Sequence, residues 1–283
     1  MIKRIGYQGE AGANSHIACN LYDKKSKPIA LKTFDEVFVS LEKNKIDLAL
    51  IPIENTIAGR VSDIHRLMPT SNVNIIGEIF LKIKHCLLSL KESKIEDIKS
   101  VRSHEMALSQ CRRSIVSLGL NPIISADTAG SAREVVELDD ISIGAIASPL
   151  AAEIYKLKIL KEDMQDAGHN TTRFLILSKD KLIPKNTGKK FITTLVFKVK
   201  NVPSALYKAL GGFATNGVNM LKLESYQIDG SFQSTQFYTD LEGHLSSEDI
   251  TNAISELEYY SEEIKILGVY PSVSYSHVRC RRQ

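Results

Sequence analysis

The 283-residue chain is 43% hydrophobic and 24% charged, the balance of an ordinary globular protein of two or three domains. Its 36 basic and 33 acidic residues leave a net charge of +3, too mild to argue for nucleic acid, and no stretch reaches the ~18 apolar residues of a membrane span. The four cysteines, Cys19, Cys86, Cys111 and Cys280, lie at neither zinc-ligand nor disulfide-framework spacing, so both of those classes are excluded.

The opening MIKRIGYQG has no apolar signal core. With unpaired cysteines that read as small core residues, this predicts a reduced, cytoplasmic protein. A first strand begins at Ile2. NSHIACNLYD predicts a helix with Ile17, Ala18, Leu21 and Tyr22 on one face. IALKTF is a strand, and DEVFVSLEKN a helix capped by Asp35. IDLALIPI is a buried strand, and VNIIGEIFLKIKHCLLSL is extended. HEMALSQCRRSIVSLG predicts one helix closed by Gly119. NPIIS, DTAGSAREVVEL and SIGAIAS give strand, helix, strand. PLAAEIYKL is a helix with Pro149 near its start, and FLILS is the last strand of the region. This alternation predicts an α/β fold with a mostly parallel sheet, built as one sheet or as two lobes.

Residues 179–190, KDKLIPKNTGKK, are basic and polar with Pro and Gly, a linker composition. Beyond it, Ile192–Lys200 is a strand and PSALYKALGGFATNG a helix with Pro203 in its first turn. NMLKLESYQI and SFQSTQFYTDL are strands joined by Asp229-Gly230, a hairpin signal. SSEDITNAISELEYY is a helix with a capping box from Ser246 or Ser247, and EIKILGVY closes the region. The order β-α-β-β-α-β over residues 191–271 predicts a ferredoxin-like domain. Residues 272–283 read as a tail, its basic end from His277 a frayed terminus.

Several stretches carry chemistry. In GYQGEAGANS, Gly6, Gly9 and Gly12 are spaced GxxGxxG rather than as a dinucleotide loop, and Glu10 would lie where a pyrophosphate sits. A helix start with open amides and Ser15 can hold a single carboxylate; a plain flexible turn accounts for the stretch equally well. Glu54, Asn55 and Thr56 follow a buried strand, at the end where open α/β sheets take ligands. The plainer alternative is an Asx turn, and the polar density favours function. Ser103 is a candidate cap. His104 is an acid or base, or, as the better reading taken singly, a satisfied core histidine. Gln110 lies six residues on, on a rather different helical face. In HNTTRFLIL, Thr171, Thr172 and Arg173 run into the strand at Phe174. Arg173 cannot shed its charge, so it implies either a structural ion pair or a bound acidic molecule. His16, His65, His85, His244 and His277 have no companions at ligand spacing, so no metal is assigned. Hydroxyls, amides and one arginine suit a polyanionic organic acid and hydrogen-bond polarisation.

Taken in order, GYQGEAGANSHIA, IPIENTIAGRV, HCLL, SHEMALSQC and NTTRFLIL closely resemble the motifs of the prephenate dehydratase family, and the carboxyl region resembles its ACT domain. The resemblance implies a catalytic region over residues 1–178, two-lobed like a periplasmic binding protein. One lobe is about 1–78 with 166–178, the other about 79–165, and the site lies between them. The implied reaction removes water and carbon dioxide from prephenate to give phenylpyruvate for phenylalanine biosynthesis. Arogenate as substrate, or a non-catalytic amino-acid sensor, are the alternatives.

On that resemblance, Arg173 pairs with a substrate carboxylate bidentately and Thr172 hydrogen-bonds the departing hydroxyl. Asn55 and Gln110 hold carboxylate or hydroxyl, and Ser15 with neighbouring amides holds the other carboxylate. Glu54, Thr56, Ser103, His104, Thr171 and Phe174 complete the substrate site. No cofactor, nucleic acid or membrane partner is implied. Thr56 stands where the family usually has Ser, and Met106 where many members have Gln. NVPSALYKAL and LESYQ depart from the ACT Gly-Ala-Leu and Glu-Ser-Arg-Pro motifs. Phenylalanine is the expected effector, near Asn201, Ala205, Leu206, Glu224 and Ser225. The strand edges ITTLVFKVK and KLESYQI need cover, which points to a homodimer or homotetramer.

Overall fold

A computed structural model describes residues 2–227 and 235–273. The Asp229-Gly230 hairpin signal and the tail with His277 and Cys280 lie outside the described residues. The chain forms two compact units. Among the described residues, one comprises 2–61 and Ile79–Phe174; the other comprises Ser62–Glu78 and 175–273.

The elements run β1 (Arg4–Gln8), α1 (Asn14–Tyr22), β2 (Lys27–Leu31), α2 (Phe34–Glu42), β3 (Leu48–Asn55), β4 (Gly59–Arg60), α3 (Ser62–Thr70) and β5 (Asn74–Lys82). Then come β6 (Cys86–Ser89), β7 (Ser100–Ser103), α4 (Glu105–Gln110), α5 (Arg112–Ser117), β8 (Asn121–Ile124), α6 (Thr128–Leu138), β9 (Ile143–Ala147), α7 (Pro149–Tyr155), β10 (Lys158–Lys161) and β11 (Thr171–Ser178). The last are β12 (Phe191–Val199), α8 (Ala205–Thr215), β13 (Met220–Gln227), β14 (Thr235–Glu242), α9 (Glu248–Tyr260) and β15 (Ser261–Pro271).

The first unit holds two groups of strands. In one, β1 lies between parallel β2 and β3, and β11, of which residues 171–174 belong to this unit, borders β3. All eight β11 positions are buried, which is why its sequence is a continuous apolar run rather than an alternation. The other is a five-stranded sheet in the order β10-β6-β9-β7-β8. It is mixed rather than mostly parallel: β7 runs parallel to β8 and β9, whereas β6 is antiparallel to β9 and β10. Its two faces sort by strand period. Cys86, Leu88, Ala145 and Ala147 pack with α6 and α7, while Leu87, Val101 and Ile146 pack with α4 and α5. Cys19, Cys86 and Cys111 are free and buried, as small core residues.

The second unit contains the predicted β-α-β-β-α-β order, with strands arranged β13-β14-β12-β15 and antiparallel throughout. Helices α8 and α9 cover one face through Leu195, Phe197, Ala209, Phe213, Ile250 and Leu257. His65 of α3 lies against Tyr226 and edge-on to Tyr238. Gly268 has no side chain, so β15 can approach the backbone of Ile75 and pair with β5.

Several local expectations are corrected. The first strand starts at Arg4, and Ile2 is exposed. Thr33, not Asp35, caps α2, accepting from the Glu36 amide at 3.1 Å. The single helix expected after His104 is two, because Asp166 inserts into its ladder. The Asp166 amide donates to the Gln110 carbonyl, and its carboxylate takes the Arg113 amide. Pro203 precedes α8 rather than opening it. No capping box starts α9, since Ser247 donates its hydroxyl to the His244 carbonyl.

Candidate active site

A cavity of about 320 Å³ opens in the first unit. Its wall is made where elements end: the Gly9–Ser15 turn into α1, Asn55 at the end of β3, Thr172 at the start of β11, His85 before β6, Gln110 at the end of α4, and Thr128 at the start of α6.

Strand geometry decides which motif residues reach it. Successive side chains on a strand face opposite sides. On β11, Thr172 lines the cavity and Arg173 does not. On β3, Asn55 lines it and Glu54 does not. The two residues turned away meet each other: Arg173 Nη1 donates to Glu54 Oε1 at 3.1 Å. The buried guanidinium therefore has a carboxylate of its own chain as partner. The expectation sets it against a substrate carboxylate; in this structure it lies off the cavity wall.

Thr56, Thr171, Ser103 and Phe174 also lie off the cavity. Thr56 stitches two segments together: its amide donates to the Thr171 carbonyl, its hydroxyl donates to the His169 carbonyl, and that hydroxyl accepts from the Thr171 amide. Ser103 is fully buried and donates to the Ile146 carbonyl at 2.6 Å. His104, not Ser103, caps α4, its Nδ1 accepting from the Met106 amide at 3.2 Å. His104 is exposed on the cavity wall, as is Met106. Phe174 is core. Although six residues apart, His104 and Gln110 line the same cavity, the helix having been cut short at Cys111.

The residues that are brought together form one hydrogen-bonded chain. Asn55 Oδ1 accepts from the amides of Ile57 and Ala58 at 2.9 and 2.8 Å. This is the Asx turn of the plainer reading, and the same residue also walls the cavity. Asn55 Nδ2 donates to Asn170 Oδ1 at 2.8 Å and to Thr172 Oγ1 at 2.9 Å. Asn170 Nδ2 donates to Gln110 Oε1 at 2.8 Å, and His85 Nε2 lies 3.0 Å from the same oxygen. Every donor and acceptor of the Asn55 side chain is thus engaged within the protein. Asn55 positions Thr172 rather than offering itself to a ligand. With one lone pair of Thr172 Oγ1 filled, its hydroxyl hydrogen and the other lone pair are left for a ligand.

Asn170 and His85 escaped the sequence reading. Counting back two from Thr172 finds Asn170 and rejects Arg173. His85 was weighed only as a metal ligand. It is 3% exposed, and burial holds its imidazole below the usual histidine range, partly offset by Gln110.

The cavity wall contains no lysine or arginine among the described residues. It does include Asp127, whose carboxylate caps α6 by accepting from the Gly130 amide at 2.6 Å, and donors for an anion come from the backbone. Ala13 sits at the N-cap of α1 and supplies no capping oxygen, so the first-turn amides of Asn14 and Ser15 face the cavity with the helix dipole behind them. Ser15 is buried beside them. The turn leading there uses positive φ at Gly9 (115°) and Gly12 (91°), which glycine adopts without strain. Glu10 points the other way. Arg133 donates to it at 2.9 and 3.1 Å and holds its carboxyl below the usual range, with Tyr155 adding a weaker bond at 3.4 Å. Ser148 donates its hydroxyl to the Gly12 carbonyl, fixing the turn against α7. Among the described residues no cluster of three or more His, Cys, Asp or Glu is placed to hold a metal ion, and no helix is long and apolar enough to cross a membrane.

A second cavity, of about 540 Å³, lies in the second unit. Asn201, Ala205 and Leu206 line it with Lys200, Phe237 and Glu262. Glu224 and Ser225 do not. They are neighbours on β13 and face opposite sides of it. Glu224 pairs with Lys222 at 3.5 Å, while Ser225 lies in register with Phe237.

The prephenate dehydratase family model matches residues 5–182. Over 95% of its length the chain is 44% identical to the bifunctional N-acyl-homoserine lactone acylase/prephenate dehydratase of Komagataeibacter europaeus, covering 95% of that protein. It is 36% identical to arogenate dehydratase 2 of Petunia hybrida, over 96% of this chain and 72% of that one. The structure of a prephenate dehydratase from Arthrobacter aurescens in complex with L-Phe superposes with a TM-score of 0.87 and 26% identity, covering 97% of this chain and 94% of that one. With the motifs in order, the network around Thr172 and this breadth of match, the chain belongs to the prephenate dehydratase family.

Proposed function

We propose that the chain catalyses the decarboxylating dehydration of prephenate to phenylpyruvate. The observation that carries this reading is the Thr172 hydroxyl, oriented by Asn55 at 2.9 Å in a cavity that the N-terminus of α1 also lines. Prephenate is a dianion with a ring hydroxyl. Its side-chain carboxylate, which stays charged throughout, sits at the start of α1 against the Asn14 and Ser15 amides and the Ser15 hydroxyl. The ring carboxylate leaves as carbon dioxide. Its bonding pair flows into the ring, and the ring expels the hydroxyl, which takes one proton to leave as water. Aromatisation drives the step. Thr172 donates a hydrogen bond to the departing oxygen. An alcohol is too weak an acid to give up its proton fully, so the proton itself arrives through water. Gln110 holds the substrate from the other end of the same hydrogen-bonded chain, and Arg173 acts from behind by holding Glu54 beside Asn55.

Residues 191–271 act as an ACT regulatory domain, and phenylalanine is the effector, bound in the cavity of Asn201, Ala205 and Leu206, with Glu224 and Ser225, expected with them, off its lining. Support comes from the cavity these residues line and from the Arthrobacter relative, whose structure is a complex with L-Phe. The catalytic region is two-lobed in the manner of periplasmic binding proteins. The assembly is a homodimer or homotetramer, and the protein works in the cytoplasm. Arogenate, the substrate named for the Petunia relative, differs only where an amine replaces the keto oxygen, and it is the alternative substrate.

One assay separates these readings. Purified protein is given prephenate, then arogenate, and phenylpyruvate or phenylalanine is measured. Phenylpyruvate formation with saturable kinetics is expected. Turnover of arogenate alone would move the assignment to that substrate. Turnover of neither, with binding of an amino acid, would make the chain a sensor. Hydrolysis of an N-acyl-homoserine lactone without either dehydration would overturn the reading.

A further inference from the structure

The hydrogen-bonded chain around Thr172 has a direction, and it can be followed from an end that cannot be reversed. Backbone amides only donate. The amides of Ile57 and Ala58 therefore fix Asn55 Oδ1 as the oxygen, and Asn55 Nδ2 must donate onward. Asn170 must then present its oxygen to Asn55, which turns its own nitrogen toward Gln110 at 2.8 Å. Gln110 must present its oxygen to Asn170. The remaining contact on that oxygen is His85 Nε2 at 3.0 Å, and an oxygen already facing one N–H can accept only from another.

We infer that His85 is a positioning residue for the proposed reaction: as its Nε2–H tautomer it clamps the Gln110 oxygen inward, so that Gln110 offers the cavity its amide donors and no acceptor.

The tautomer follows from two independent observations. One is the chain just traced. The other is the opposite ring nitrogen. His85 Nδ1 is buried and has no hydrogen-bond partner among the described residues. In the Nδ1–H tautomer it would be a buried donor without an acceptor. In the Nε2–H tautomer it is only an unfilled lone pair, the less costly of the two. Burial also keeps the ring neutral, and the backbone amide of His85, donating to Gln165 Oε1 at 2.9 Å, anchors the residue.

The consequence concerns recognition. Gln110 Oε1 takes two N–H groups, so its amide nitrogen is what faces outward. Thr172 Oγ1 accepts from Asn55, which leaves its hydrogen and one lone pair available. A Gln110 side chain held in this way takes an acceptor, a carboxylate or the oxygen of a departing hydroxyl, and disfavours a donor such as an ammonium group at the same place. The inference rests on the dehydratase reading for its kinetic outcome, but not for the state of the ring.

Long-range ¹H–¹⁵N spectra of the intact protein at neutral pH, with His85 assigned by its loss in His85→Phe, should show the Nε2–H tautomer. The Nδ1–H tautomer would overturn the inference whatever the enzyme does. In the kinetic arm, His85→Phe keeps the ring shape but removes the donor. Turnover should fall about 10–100-fold, the scale of a misplaced catalytic group, with KM changed less than about twofold. His85→Gln restores an N–H near the position of Nε2 and should recover most of that loss. Gln110→Glu, isosteric but unable to donate when ionised, should match or exceed the His85→Phe defect. A folded His85→Phe protein with unchanged turnover would contradict the clamp. So would a folded His85→Gln protein no better than His85→Phe, or a defect confined to KM. If the unmodified protein turns over neither prephenate nor arogenate, the dehydratase reading fails, and the spectrum alone decides the role of His85.

Discussion

Thr172 and Arg173 are adjacent on β11 and serve opposite sides of it: Thr172 accepts from Asn55 at 2.9 Å on the cavity wall, and Arg173 donates to Glu54 at 3.1 Å away from it. The two halves of one motif therefore make separable predictions.

Thr172→Ala should lower turnover by about 10²–10⁴-fold, the range for removing a positioned hydrogen-bonding or proton-transfer group. Thr172→Ser keeps the hydroxyl and should retain most activity. Steady-state kinetics on folded protein decides it, and near-normal turnover of Thr172→Ala would remove the residue from the mechanism.

Arg173→Ala should act first on stability. It takes the guanidinium from a largely buried ion pair, with side chains 8% and 34% exposed, and should cost about 1–3 kcal/mol in denaturant unfolding. Because the guanidinium does not line the cavity, KM should rise less than turnover falls. A rise in KM alone, with unchanged stability, would show instead that Arg173 meets the substrate.

Gly12→Ala should be severe for its size. Its φ of 91° disfavours a side chain, and a Cβ there would lie 2.8 Å from the Ala151 Cα. Strain of this kind is worth about 1–3 kcal/mol. The turn would shift the α1 amides with it, so thermal stability and substrate affinity should fall together. Gly59→Ala is the control, since its φ is also positive but nothing lies within 4 Å of the added atom.

Phenylalanine should bind the intact chain saturably in calorimetry and inhibit it. Asn201→Ala should weaken that binding about 3–10-fold, the worth of one hydrogen bond. Cutting the chain after Ser178 is the wrong test. Ile64 and Met68 of α3, and Ile75 of β5, are fully buried within the unit that the carboxyl strands complete. Such a truncation should aggregate rather than report on regulation.

Acid should weaken the fold before any carboxylate titrates. The burial-depressed imidazoles of His85 and His16 protonate less readily in the folded than in the unfolded chain. Their contribution is complete above the unfolded value of about 6.5 and is lost as pH falls through it toward the folded values. Thermal midpoints measured from pH 7.5 to 5 should fall, and His85→Phe should flatten part of that slope.

Much of this was legible in the sequence. The β-α-β-β-α-β order of residues 191–271 follows from clean strand and helix periods, and the buried run FLILS reads directly as β11. The cavity residues Ser15, Asn55, Gln110 and Thr172 were all selected by their motifs. What was lost has two physical sources. One is period: applied to TTRF and IEN, the two-residue alternation of a strand separates Thr172 and Asn55 from Arg173 and Glu54, and finds Asn170. The other is non-local. The helix break at Cys111 is made by Asp166, over fifty residues on, and the role of His85 exists only once Gln110 stands beside it. Short elements with weak patterns, such as β10 with its sequence KILK, carry too little signal to be seen alone.

The uncapped start of α1 has a consequence for how this site can change. Its positive potential is assembled from peptide dipoles, so it has no proton to lose at alkaline pH, no side chain to be acetylated, and no codon whose single replacement deletes it. A lysine-lined site would lose affinity steeply as salt is raised; the partial charges of peptide groups, which carry no net charge, are screened less. Side chains around Asn14 can drift while the attraction for an anion persists. Losing it takes a change in the path of the backbone itself.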